Sequence, residues 1–143
     1  MVDWEMYRDY GPVVLRIALG VAFLVAGLEK VIGFEMVSGM FSQLFGGAGT
    51  AMLVLAILIE LVCGLALVVG FYARWAALPL LVLIAVAFAS TFKINPDATG
   101  ISMLREIMVM NTGGGNTAVN FAYFFGLLSL FLTGSSVGAV KPD

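Results

Sequence analysis

Between Ala51 and Phe92 the chain carries only two charged residues, Glu60 and Arg74. As a single helix this stretch would be about 63 Å long at about 1.5 Å per residue, twice the roughly 30 Å hydrocarbon core of a bilayer. The chain must therefore turn around Gly70–Arg74, which predicts a tight antiparallel pair of membrane helices. Open sheets cannot face lipid, and the strands of a membrane barrel alternate apolar with polar residues, which this run does not.

The rest of the sequence extends that pattern. Of 143 residues, 62% are hydrophobic and 11% charged, and the mean hydropathy is +1.08. Soluble domains average about 45–50% apolar and about 25% charged. A soluble enzyme or a nucleic-acid binder is excluded, and one membrane domain covering 1–143 is expected. Four apolar runs are predicted as spans, at about 12–32, 51–71, 74–92 and 118–134. The fold class is all-α, a polytopic membrane four-helix bundle. The connection 33–50 carries Phe34, Met36, Met40, Phe41, Leu44 and Phe45 at helical spacing, then Gly46-Gly47-Ala48-Gly49. It reads as a short interfacial helix followed by a flexible loop. In the connection 93–117, Ile101 to Met110 reads as a second interfacial helix between the turn Asn95-Pro96-Asp97 and the flexible Gly113-Gly114-Gly115-Asn116. Its length marks it as a docking surface.

The net charge of −2 implies no charged partner. No histidine is present, so this chain supplies no His-ligated haem or metal and no His base. Met36 and Met40, one turn apart, read as apolar filler, and no metal site is expected. The polar start, Met1 to Tyr10, lacks the basic region and cleavage site of a signal peptide. Arg8, Arg16, Arg74 and Lys141 fall on one side of the expected topology and Lys30, Lys93 and Arg105 on the other. That balance places both termini in the cytoplasm of a multi-pass inner-membrane protein.

Charges within spans are costly, about 2.5–3.5 kcal/mol at mid-membrane on insertion scales. Arg16, Gly20, Phe23, Gly27 and Lys30 share one face of the first helix, and Ala56, Glu60, Gly64, Leu67 and Phe71 share one face of the second. Small residues on both faces let the backbones approach, so the charges point into the packing. Arg16 lies about 6 Å and Glu60 about 16 Å from the inner edge, and their side chains lean apart, so a direct bridge needs tilt or a water. Tyr123 and Ser129 are nearer to Glu60 in depth. Arg16–Lys30 and Glu60–Arg74 have the same spacing, a pattern consistent with repeated helix pairs. Either polar glue in the bundle or a ligand or proton site at Arg16, Lys30, Glu60 and Tyr123 accounts for these residues. Phe121, Tyr123, Phe124, Phe125 and Phe131 would pack or face lipid, and a flat quinone ring fits among such aromatics. Asn120 reads as an inter-helix hydrogen bond or cap.

The run Leu15-Arg16-Ile17-Ala18-Leu19-Gly20, then Phe23, Gly27 and Lys30, then Glu60, Gly64, Gly70 and Arg74, resembles the DoxX family of small four-helix membrane proteins. The likeness covers about 15–89. Arg16, Lys30, Glu60 and Arg74 fall on its recurring positions. The glycine-rich third loop and the ending Gly134-Ser135-Ser136-Val137-Gly138 depart from the family pattern. The resemblance implies a place in the cytoplasmic membrane beside redox enzymes, the family name coming from the DoxD/DoxA thiosulfate:quinone oxidoreductase. The expected function is that of a membrane subunit of a redox-linked, quinone-contacting assembly, with larger protein partners or further copies of itself. A purely structural subunit and a small-solute carrier gated by Glu60 are the alternatives. The sequence holds no catalytic constellation of its own.

Overall fold

The computed structural model describes residues 7–113, 116–135 and 137–143. The polar start up to Met6, Gly114 and Gly115 of the expected hinge, and Ser136 lie outside them. The helices are α1 (Tyr10–Ile32), α2 (Phe34–Phe45), α3 (Gly49–Val69), α4 (Ala73–Thr91), α5 (Ile101–Met108) and α6 (Thr117–Thr133), with a 3₁₀ turn at Gly46–Ala48. The four expected spans correspond to α1, α3, α4 and α6, with ends shifted by no more than two residues.

Among the described residues, three stretches are long and apolar enough to cross a membrane: α1, the α2–α3 run and α4. This is a multi-pass membrane protein. At 17 residues, α6 is a shorter apolar helix, about 26 Å long at 1.5 Å per residue.

α1 packs chiefly on α3, and α4 on α6, while α3 also contacts α4. Leu19 and Phe23 of α1, Leu67 of α3, Ala77 and Leu80 of α4, and Leu127 and Leu130 of α6 share one buried core. The α1–α3 contact depends on the absence of side chains. A Cβ on Gly20 would lie 2.7 Å from the Gly64 carbonyl oxygen and 2.9 Å from the Val68 nitrogen. Any larger residue would force the two backbones apart. The outward positions Val14, Val21, Val25 and Leu28 of α1 and Leu58, Val62 and Leu65 of α3 are exposed, as a lipid-facing surface requires.

α2 begins directly after the Gly33 break that ends α1. It lies against the first part of α3, where the Ser38 and Thr50 hydroxyls are 3.2 Å apart. Of the run Gly46-Gly47-Ala48-Gly49, expected as a flexible loop, Gly46–Ala48 form instead the 3₁₀ turn that joins these antiparallel helices, and Gly49 opens α3.

Candidate functional site

α1 and α3 run antiparallel, so the lower end of α1 meets the upper end of α3. Arg16 is 1% exposed and lies beside the last turn of α3. Its guanidinium has five N–H donors, and all five are used. Nη1 donates to the carbonyls of Leu67 (3.0 Å) and Val68 (3.1 Å). Nη2 donates to the carbonyls of Val137 (3.3 Å) and Gly138 (2.8 Å). Nε donates to the Ser135 hydroxyl at 3.1 Å. The cation sits where α3 presents the negative end of its dipole.

This contact completes the C-terminus of α3. A helix leaves four carbonyls without internal partners. Here Ala66 accepts from the Phe71 amide, Leu67 from the Gly70 amide and Arg16, Val68 from Arg16, and Val69 from the Val140 amide. Gly70 turns the chain with φ +72, and a Cβ there would collide with Arg16 Nη1 and with Ala139. Tyr72 also has positive φ, +45, a strained backbone for a non-glycine residue. The Tyr72 amide donates to the Lys141 carbonyl, and the Lys141 ammonium lies 5.0 Å from the centre of the Tyr72 ring. The Asp143 carboxylate then accepts from the Arg74 amide at 3.0 Å, in the first turn of α4, where an anion is stabilised. Ser135 and residues 137–143 thus form a strap across the α3–α4 turn.

Glu60, 5% exposed, is held by a different cation. Lys30 Nζ lies 2.8 Å from each carboxylate oxygen. Gly27, one turn before Lys30, lets α1 approach, since a Cβ there would be 3.2 Å from the Glu60 Cβ. Of the four expected site residues, the structure brings Lys30 and Glu60 together. It takes Arg16 to the strap, away from Glu60. Tyr123, on α6, packs its ring against Phe23 with centroids 5.4 Å apart.

A second polar cluster lies outside the spans. Glu106 of α5 is buried. It accepts from the Thr112 amide (2.6 Å), the Asn111 side chain (3.0 Å) and the Thr112 hydroxyl. Asn111 in turn bridges to the Lys93 backbone, accepting from its N–H at 3.0 Å and donating to its carbonyl at 2.8 Å. Thr117 donates to the Glu106 carbonyl and so ties the cluster to α6. The Thr112 hydroxyl and amide hold the Glu106 carboxyl below the usual carboxylate range. Sequence reasoning marked this segment as a loop helix and missed the knot. The signal available was four polar side chains, Asn95, Glu106, Asn111 and Thr112, in a chain otherwise poor in them.

The DoxX family profile matches residues 11–93, which hold Arg16, Lys30, Glu60 and Arg74. A protein of Haemophilus influenzae, described as uncharacterized, is 30% identical over 145 residues, covering 100% of this chain and 96% of the other. No solved structure matches. With more than half the chain matched, the protein belongs to the DoxX family.

Proposed function

We infer that the chain is a small integral membrane subunit of a redox-linked assembly in the cytoplasmic membrane, a four-helix bundle with both termini inside. One observation carries the subunit reading. Three charges within its spans are engaged with the chain's own groups, Lys30 with Glu60 and Arg16 with backbone carbonyls. What remains for other molecules is an apolar outer surface and the helix α5, which exposes Ile101, Leu104 and Met108. Such a body packs against other membrane helices or lipid.

The redox and quinone part rests on the family resemblance. With no histidine in the chain, electrons would be carried by a bound cofactor or a partner. The carrier alternative has less support, since Glu60 is taken by a two-oxygen contact with Lys30 and does not stand free as a gate.

The test is purification of the tagged full chain in mild detergent, with mass spectrometry of the chains that accompany it. Stoichiometric recovery of oxidoreductase subunits is expected. Ile101→Ser with Leu104→Ser, which leave the Glu106 knot untouched, should release them. A chain recovered alone, or only as its own oligomer, would overturn the reading. Cysteines placed at Val140 and Ser102 in a Cys63→Ala background should label from opposite sides of the membrane. Same-side labelling would refute an even number of spans.

A further inference from the structure

Among the described residues, one buried side-chain nitrogen or oxygen has no hydrogen-bond partner, Nε of Arg74. Arg74 stands in the first turn of α4, at the end of the bundle that carries the strap. Its backbone N–H is taken by Asp143, but its guanidinium makes neither a hydrogen bond nor an ion pair among the described residues. The guanidinium rests against Gly134, the residue that ends α6, where a Cβ would lie 3.2 Å from Nη2 and 3.6 Å from Nε. The slot between the ends of α4 and α6 keeps water from Nε, while the two Nη groups reach the surface. A cation dried on one side and left unpaired is unfavourable, and an anion at its open edge offsets that loss. Arg16 and Lys30 have no such need, since their donors are already taken.

The surroundings select the anion. Arg74 lies at the edge of the spans, flanked in sequence by Phe71, 47% exposed, and Trp75, 62% exposed, and such rings sit at headgroup level. Lys141 brings a second positive charge to this end. Its ammonium lies over the Tyr72 ring and pairs with no carboxylate among the described residues. Tyr72 holds that ring on a strained backbone, and such strain gathers at ligand-holding segments. Asp143, the carboxylate at this end of α4, accepts from the Arg74 and Ser135 amides at 3.0 and 3.4 Å and leaves the guanidinium unpaired.

We propose that this end of the bundle holds the phosphate of an anionic phospholipid, with the Nη edge of Arg74 as the fork on its oxygens and Lys141 as the charge that favours an anionic headgroup over a zwitterionic one. A planar guanidinium suits two phosphate oxygens at once, and basic pockets between membrane helices hold such headgroups. At that depth the phosphates belong to lipid. The proposal rests on the membrane reading alone and needs neither a partner chain nor electron transfer.

The test uses the full chain with Trp4→Phe, which leaves Trp75 as the only tryptophan, reconstituted in phosphatidylcholine mixed with phosphatidylglycerol. Bromine on the acyl chains of one lipid at a time makes Trp75 quenching report which lipid lies beside it. Phosphatidylglycerol should be preferred over phosphatidylcholine. Arg74→Gln should lower that preference about fivefold, and Lys141→Gln should lower it as well. Arg8→Gln, at an exposed position of the same end, should leave it unchanged. If Arg74→Gln lowers the melting temperature in detergent, Arg74→Lys takes its place, because it keeps the charge, loses the fork and should still reduce the preference. Equal quenching by both lipids, or a preference that survives the Arg74 variants, overturns the proposal. So does an equal loss in Arg8→Gln, which would mark a diffuse attraction to the leaflet. Inorganic phosphate that abolishes the preference would assign the contact to a soluble anion and overturn it too. A failed preference leaves the subunit reading standing, and a chain purified alone leaves this proposal standing.

Discussion

Lys30 Nζ is equidistant, at 2.8 Å, from the two carboxylate oxygens of Glu60. The carboxylate is buried, and the lysine side chain is 24% exposed. Removing one partner of a buried pair costs about 3–5 kcal/mol, and the flexible lysine stem lowers that for the cation left behind. Lys30→Met should therefore destabilise more than Glu60→Gln, because the charge it strands is the buried one. The double change Lys30→Met with Glu60→Leu should be milder than Lys30→Met alone. Thermal unfolding of all four proteins in one detergent reads this directly. Additive losses would show that the two groups do not act as a pair.

Arg16→Lys should keep the charge and lose the strap. Lysine has three donors and no planar fork, so it cannot serve five acceptors. The amides of Val140 and Lys141, bonded to Val69 and Gly70, should exchange faster with deuterium, and residues 137–143 should become open to protease. Arg16→Leu should cost at least about 3 kcal/mol, since several buried acceptors lose their donor at once. Unchanged exchange at 140–141 would show that the strap holds without the arginine.

Gly20→Ala should weaken the α1–α3 contact by about 1–3 kcal/mol, because the added methyl meets backbone atoms at under 3.0 Å. Gly64→Ala should cost less, since its nearest contact is 3.1 Å. Detergent melting temperatures should rank wild type, Gly64→Ala and Gly20→Ala in falling order.

The Glu106 knot should open in acid. Its carboxyl pKa is lowered by Thr112, so its contribution is full above the ordinary carboxylate range and declines as pH falls through that range to the lowered value. Arg105 adds a smaller effect in the same direction. Exchange at the Thr112 and Gly113 amides should accelerate at low pH in wild type. Glu106→Gln should exchange fast at neutral pH with little further response to acid. A wild type with flat exchange across that range would remove the carboxylate from the account.

The spans were legible in the sequence because bilayer thickness fixes their length and charge is expensive within them. The shared faces of Arg16, Gly20, Gly27 and Lys30, and of Glu60, Gly64 and Leu67, were legible from helical spacing. The strap was not legible for a physical reason. Four of the five acceptors around Arg16 are main-chain carbonyls, and every residue has one. Nothing in the identity of Leu67 or Val137 marks it as a partner. The knot was hidden likewise, because loop geometry follows no period.

The strap also sets an order of events in making the protein. Arg16 emerges from the ribosome in the first helix, and Ser135, Val137 and Gly138 follow 119 to 122 residues later. At about 5–20 residues per second the wait is on the order of ten seconds. During that time the first span holds a guanidinium whose strap acceptors do not yet exist, at the membrane edge where water and headgroups can shelter it. A segment synthesised late thus completes the contacts of α1. A chain cut short before residue 135 would leave three of that cation's five hydrogen bonds unmade.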